Sequence, residues 1–283
     1  MNHYIDRVVD LLDSSRNRIY NLSEAEAREC VRSGRAEAVR EIDGSYAILA
    51  QHGKAVRMAR SLDRPMRYFL AKRREGPALI VADRIDAILA QLDRDGLADQ
   101  FHPSYTRMVP AHHIVDIQLV GCPDPDPVYT RFFSPRTNAF PADVNEIGRL
   151  YIQALAEEIA KWLHVLPGDE PIGVAFSGGV DSGAVFLVTH HVLCRLGMNP
   201  CRLKAFTLTF GDGPDLDQAR RFLNRLGLDL FLEPIEAEFG AVTLEDTIRV
   251  VEDYKPLDGE CVYLGLALCR GIRQRYPDWR YMI

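Results

Sequence analysis

The hydrophobic pattern changes its period along the chain, and its first part indicates helices. The apolar stripe within residues 8–12, Val-Val-Asp-Leu-Leu, predicts an amphipathic helix in a largely polar region that spans residues 1–40. A second helix is predicted from Ser23 to about Gly34, because serine commonly starts a helix and glycine commonly ends one.

Short apolar runs replace the helical pattern after residue 40. The runs are residues 46–50, 55–59, 67–71 and 78–82. Turn residues such as His-Gly, Asp-Arg-Pro and Glu-Gly-Pro separate them, which is typical of strands joined by tight turns. The pattern predicts an antiparallel sheet, followed by a helix at residues 84–92.

The second half of the chain alternates between strand-like and helix-like segments. The predicted helices are residues 143–164, 182–196, 215–226, 244–254 and 261–276, and the predicted strands are residues 172–176, 203–210, 228–234 and 280–283. Strands that alternate with helices form a parallel, doubly wound sheet. The predicted fold class is therefore α/β, with a Rossmann-like second domain behind a first domain of α+β type.

A proline-rich stretch at residues 123–141 predicts an extended linker between the two domains. The domains are accordingly placed at residues 1–140 and 141–283.

Composition excludes several classes of function. The net charge of -6 is opposite in sign to a nucleic-acid-binding surface, and no apolar run reaches the roughly 18 residues of a membrane-spanning helix. The six cysteines contain no C-x-x-C pair, so zinc binding is not expected. Because the N-terminus also lacks a signal-peptide pattern, we expect a cytoplasmic protein that binds neither nucleic acid nor membranes.

The segment Ser177-Gly-Gly-Val-Asp-Ser182 joins a predicted strand to a predicted helix. Its glycines allow the backbone to approach an anion, and the free amides at a helix start attract phosphate. Ser177 and Ser182 add hydroxyl donors. The carboxylate of Asp181 repels phosphate unless a cation lies between them, which predicts Mg²⁺ coordination. No lysine ends the loop as in a Walker motif, which favours a site that grips pyrophosphate as a leaving group.

This loop resembles the signature of the ATP-pyrophosphatase superfamily, which includes asparagine, GMP, NAD and argininosuccinate synthetases and tRNA thiolases. The segments Lys204–Phe210, Gly213–Arg220 and Leu226-Gly227 resemble the order found in asparagine synthetases. The resemblance implies that Phe176 and Leu208 line an adenine pocket, although both positions equally suit ordinary strand core. The predicted ATP-binding residues are Phe176, Ser177, Gly178, Gly179, Val180, Asp181, Ser182 and Leu208, with Ser177 and Asp181 catalytic and Asp181 the metal ligand.

Residues 41–88 resemble, less closely, the back half of the glutamine-amidotransferase domain of that family. That domain requires a cysteine directly after the initiator methionine, and this chain has Asn2. The resemblance therefore implies an amide ligase that takes ammonia or an amine in place of glutamine. Its expected partners are a small carboxylate substrate, a nitrogen donor and, as one possibility, a second copy in a homodimer.

The sequence is compatible with more than one interpretation of several features. The resemblance implies that an acidic loop and a helical region follow the strand at residues 280–283, so we expect a truncated form of a longer protein. The alternatives are a β-lactam-synthetase-like or peptide-cyclising ligase, and a nucleotide-binding pseudoenzyme or assembly subunit. Asp212 and Asp215 suit either a place near the nucleotide or an Asx turn. Glu252 and Asp253 suit either a site for the acceptor substrate or Mg²⁺, or a solvated helix end.

Overall fold

The computed structural model describes residues 5–72, 77–120, 126–168, 170–211, 213–253 and 255–283 of the 283-residue chain. The chain divides into two compact units, residues 1–137 and residues 138–283. Each unit contains its own clusters of buried apolar side chains.

The first unit combines short strands with three helices among its described residues. The strands are β1 (Arg7–Asp10), β2 (Arg18–Ile19), β3 (Gly44–Ser45), β4 (Ala47–His52), β5 (Ala55–Arg60), β6 (Arg67–Ala71), β7 (Ala78–Ala82), β8 (Arg107–Met108), β9 (His113–Gln118) and β10 (Val128–Arg131). The helices are α1 (Glu24–Ser33), α2 (Ala36–Arg40) and α3 (Ile85–Arg94).

Two four-stranded sheets form the centre of this unit, in the orders β1-β7-β6-β8 and β10-β9-β5-β4. They share one buried cluster, to which Leu49 and Met58 contribute from one sheet and Tyr68 and Leu79 from the other. The outer face of the first sheet packs against α3, and that of the second packs against α1 and α2. The layers therefore follow the order helix, sheet, sheet, helix.

Three of the predictions for this unit were wrong in part. Residues 7–10 form a strand that pairs in parallel with β7, so the predicted first helix is absent there and the sheet is not purely antiparallel. The predicted single sheet is two sheets. Within the predicted linker, β10 pairs with β9, because the run Val-Tyr-Thr-Arg contains no proline to interrupt a ladder. The start of that linker, residues 123–125, lies outside the described residues.

The second unit alternates helices and strands as predicted. Its helices are α4 (Val144–Val165), α5 (Val180–Arg195), α6 (Pro214–Arg225), α7 (Leu244–Val251) and α8 (Pro256–Arg275), and its strands are β11 (Ile172–Ala175), β12 (Leu203–Thr209), β13 (Leu232–Glu236) and β14 (Tyr281–Met282).

The four strands form one parallel sheet in the order β13-β12-β11-β14. Helices α4, α5 and α6 cover one face, where Leu163, Phe186 and Leu223 are buried. Helix α8 covers the other face, where Leu268 packs with Phe206. The chain therefore winds from β11 outward to β13 and then crosses to β14, which places the topological switch point between β11 and β14. Ligands of open α/β sheets bind at this position, beyond the carboxyl ends of the strands.

Two boundaries in this unit differ from prediction by four or more residues. Helix α8 begins at Pro256, five residues earlier than expected, because proline at a first helical position sacrifices no hydrogen bond. The third strand begins at Leu232, after a 3₁₀ turn at Asp229–Phe231. Tyr254, the last residue of the predicted helix 244–254, lies outside the described residues. None of the helices in the described part of the chain is long and apolar enough to cross a membrane.

Candidate active site: the glycine loop at the sheet edge

The loop lies between the end of β11 and the start of α5, as the sequence predicts. Helix α5 begins at Val180 with Gly179 as its N-cap, two residues earlier than expected. Val180, Asp181 and Ser182 therefore form the first helical turn. The first amides of a helix have no acceptor within it, so this turn presents free N–H groups at the carboxyl edge of the sheet.

Two serines hold the loop in a closed shape. The backbone amide of Ser177 donates to Ser182 Oγ at 3.2 Å, and the two hydroxyl oxygens are also 3.2 Å apart. The amide of Gly179 donates to Ser177 Oγ at 3.4 Å. These contacts tie the start of the loop to the first turn of α5.

Gly178 brings the loop against α6. Its φ of +72° lies in the left-handed region, which side chains other than glycine rarely adopt. A Cβ at this position would lie 2.7 Å from the backbone nitrogen of Ala219. Only glycine therefore allows this close contact between loop and helix.

The side chains of the loop are exposed to different degrees. Asp181 points from the first turn of α5 and is exposed. Val180 is 86% exposed, so its side chain contributes nothing to the core. Phe176 is only 3% exposed, and its ring contacts Phe186 and Phe222 edge to face at centroid distances of 5.5 and 5.6 Å. Its ring is thus part of the core.

A cavity of about 320 Å³ opens directly beside the loop. It is bounded by the ends of β11 and β12, by the start of α6 and by one turn of α8. Its lining residues are Ala175, Phe176, Ser177, Phe206, Thr207, Leu208, Thr209, Phe210, Gly213, Asp215, Leu264, Gly265 and Leu268. The structure therefore brings Leu208 together with the loop, as the sequence suggested. Asp215 lies at this cavity too, whereas Asp212 is outside the described residues.

Two arginines line a further cavity that the loop borders at Gly178. This cavity, of about 490 Å³, is lined by Gly178 together with Arg221 and Arg225 of α6. The two guanidinium groups are four residues apart on one face of that helix. They supply positive charge next to the loop, where the sequence contains no Walker lysine.

The sequence analysis missed the contribution of α8 to the cavity. Leu264, Gly265 and Leu268 lie more than eighty residues beyond the loop in the chain. A signal was present in Gly271, an unexpected glycine inside a helical pattern. A Cβ there would lie 2.3 Å from Ile235 Cγ2, so the glycine allows α8 to approach β13 closely.

The serine contacts lead to a direct prediction. Replacing Ser182 with alanine removes the acceptor of the Ser177 amide, and we expect a loss of about 1 kcal/mol in stability, together with roughly fivefold weaker binding of an ATP analogue. Thermal unfolding and calorimetric titration measure the two effects. Ser182→Thr retains the hydroxyl and should stay near wild type; if it weakens binding as much as alanine, the hydroxyl contact is not what shapes the loop.

Comparison with known proteins matches the part of the chain that contains this site to a protein family. Residues 156–276, which include the loop and α8, match the family described as asparagine synthase. Over an alignment of length 92, the chain is 33% identical to the protein named Amidase chry2 of Gibberella zeae. The alignment covers 29% of this chain and 14% of the Gibberella protein, so the chain covers only a small part of that relative.

Proposed function

Because residues 156–276 carry a domain of the asparagine synthase family, an ATP-dependent amide-ligase family, we propose that this site activates a carboxylate with ATP. The carboxylate oxygen attacks the α-phosphorus, the bond to the β-phosphate oxygen breaks, and pyrophosphate leaves. A nitrogen nucleophile then attacks the acyl carbon, loses a proton and displaces AMP, which leaves an amide. The observation that carries this proposal is the serine-closed loop at the start of α5, beside a cavity at the sheet edge.

The loop suits the pyrophosphate part of the nucleotide. The free amides of the first turn of α5 and the hydroxyl of Ser177 can donate to phosphate oxygens, and the helix dipole adds partial positive charge. Arg221 and Arg225 line the same cavity as Gly178 and add positive charge to it. The backbone amides, which the helix holds in place, stabilise the charge that develops on a departing pyrophosphate.

The donor set at the loop also fits a magnesium ion that arrives with the nucleotide. Mg²⁺ in nucleotide sites usually takes one or two carboxylates and completes its shell with phosphate oxygens and water. Asp181 offers one exposed carboxylate at the correct end of α5. The described residues contain no cluster of three or more metal-ligating side chains. When bound, the ion neutralises phosphate charge.

The cavity beside the loop suits the adenosine part. Leu208 and Phe210 provide apolar surface there, and Phe176 is also one of the lining residues. The Phe176 ring itself packs in the core, so we assign adenine contact to Leu208 and only a supporting role to Phe176.

The nitrogen donor is proposed to be ammonia or an amine. A glutamine-hydrolysing domain needs an N-terminal cysteine nucleophile. Cys30, the first cysteine of the chain, lies in α1 and packs against an apolar cluster of the first unit. A cysteine in the middle of a helix is not an N-terminal nucleophile.

Isotope transfer tests the proposed reaction. The protein is incubated with Mg²⁺, ATP and a panel of carboxylic acids labelled with heavy oxygen, and the nucleotide products are analysed by mass spectrometry. Adenylation predicts that one heavy oxygen passes from the acid into AMP. Heavy oxygen in inorganic phosphate together with ADP would show γ-phosphoryl transfer and refute the proposal. Binding of ATP without turnover of any acid would instead support the nucleotide-binding pseudoenzyme.

A further inference from the structure

A separate cavity of about 710 Å³ lies between α7 and α8. Its wall is mainly apolar, with Leu244 and Ile248 on α7, and Pro256, Tyr263 and Leu264 on α8. The Thr247 side chain is also part of the wall, but its hydroxyl donates to the carbonyl oxygen of Leu244 at 2.7 Å. This hydroxyl proton is therefore already used within the helix.

This cavity adjoins the cavity of about 320 Å³ beside the glycine loop, which we call the loop-edge cavity. Leu264 lines both of them. The ring of Tyr263 stacks on that of Phe210, which lines the loop-edge cavity, at a centroid distance of 6.3 Å. The hydroxyl of Tyr263 accepts a hydrogen bond from the amide of Gly240 at 3.1 Å, which holds the ring in this position. A molecule that reacts beside the loop can therefore extend past Phe210 and Leu264 into the space between the helices.

The charged side chains at the edge of this cavity disfavour a second negative charge on a bound molecule. Lys255, the one cation among the described lining residues, is paired with Asp253 at 3.0 Å and with Asp258 at 3.8 Å. Glu260 lines the same cavity and adds a negative charge. A second carboxylate on the substrate, as aspartate carries, therefore finds repulsion and no unpaired cation among these residues. Desolvating such a charge without a partner is unfavourable, whereas an apolar group gains by leaving water.

We propose that the cavity between α7 and α8 holds the apolar tail of the carboxylic acid that the loop activates, so that the substrate is an apolar, monocarboxylic acid and not aspartate. This inference rests on the proposed function, because it assumes that an acyl-adenylate forms beside the loop. Asp253 acts here by pairing with Lys255 at the rim, and it is not assigned to metal binding.

Stable acyl-adenylate mimics test the inference by binding alone. Calorimetry compares sulfamoyladenosine with its phenylacetyl and aspartyl derivatives, all titrated into the full chain with Mg²⁺. We expect the phenylacetyl derivative to bind at least about tenfold more tightly than the aspartyl derivative, a ratio typical of an apolar pocket. An aspartyl derivative that binds equally or more tightly overturns the inference and leaves the proposed function intact. If sulfamoyladenosine and both derivatives fail to bind, the proposed function fails, and this inference fails with it.

Two variants test whether the apolar tail of the substrate binds between α7 and α8. Leu244 is 71% exposed, so Leu244→Asp should fold normally while it places a carboxylate at the cavity wall. Ile248→Asp places the same charge one turn further along α7. Each should lower the affinity for the phenylacetyl derivative about tenfold and leave sulfamoyladenosine within about twofold. Leu257→Asp, an exposed leucine of α8 outside both cavities, is the matched control. If both cavity variants behave like this control, the tail binds elsewhere and the inference is wrong.

Discussion

Gly178→Ala is expected to abolish measurable nucleotide binding and to lower stability by about 2 kcal/mol or more. Two effects add at this position. The residue has a φ of +72°, and its new Cβ would lie 2.7 Å from the backbone nitrogen of Ala219. Because the obstacle is helix backbone, either the loop or α6 must move, and displacements of this kind usually cost 1–3 kcal/mol. A displaced loop no longer aims its amides at one point. Chemical denaturation and calorimetry with a non-hydrolysable ATP analogue measure the two losses.

Gly197→Ala provides the matched control for backbone strain. Gly197 follows α5 with a φ of +68°, but an added Cβ there meets nothing within 4 Å. This variant should lose only about 1 kcal/mol of stability, the usual effect of placing alanine in the left-handed region, and should bind the analogue as wild type does. Equal losses of affinity in the two variants would show that general destabilisation, and not the contact between loop and α6, controls nucleotide binding.

Asp181→Asn is expected to remove the magnesium dependence of nucleotide binding. Asparagine is nearly identical in shape, so the fold should be unchanged, but the negative charge that attracts the ion is lost. In the wild-type protein, Mg²⁺ should strengthen binding of the ATP analogue relative to the same titration with EDTA, and in the variant the two titrations should nearly coincide. Where acid-dependent exchange of pyrophosphate into ATP is measured, we expect a decrease of about 100-fold or more, the size typical of losing charge stabilisation in a transition state.

Asp217→Asn is the control for this experiment. Asp217 is also exposed and also lies near the start of a helix in the second unit, but its carboxylate is paired with Arg220 at 3.1 Å. Its neutralisation should leave the magnesium dependence intact. An Asp181→Asn protein that still binds more tightly with Mg²⁺ would contradict the assignment of Asp181 as a metal ligand.

The loop could be located from sequence because its signals are local. A buried strand, two adjacent glycines and a helix start follow one another within about ten residues, and each is readable by itself. Helix α1, with Ser23 and Gly34 at its ends, was predicted for the same reason, and the structure confirms both as capping residues. Gly178 was assigned backbone freedom from sequence, but its contact partner Ala219 could not be named, because that contact depends on how α6 packs.

The apolar run at residues 8–12 was wrongly predicted as a helix, because so short a run fits both the helical period and the strand period. In the structure Val8 and Leu12 contact the cluster between the two sheets, whereas Val9 and Leu11 contact the cluster under α3. Adjacent valines therefore point to opposite faces, which is the period of a strand. Parallel pairing with β7, about seventy residues away, decides between the alternatives, and no local pattern reports it.

The substrate side of the candidate site was also beyond local sequence reasoning. Leu264 lines both cavities only because α8 crosses the second face of the sheet and α7 packs beside it. From sequence, Tyr263 and Leu264 are ordinary apolar positions of a helix. Their proximity to Phe210 at the end of β12 is a result of topology, which places the carboxyl ends of parallel strands and the neighbouring helix together.

Amide NMR spectra of the protein, recorded during titration with Mg²⁺ and a non-hydrolysable ATP analogue, test the central claim most directly. If residues 177–182 bind the pyrophosphate, the amide resonances of Gly178, Gly179 and the first turn of α5 should shift most, with smaller shifts at Leu208 and Phe210. Nucleotide binding that shifts resonances of the first unit and leaves those of the loop unchanged would contradict the account.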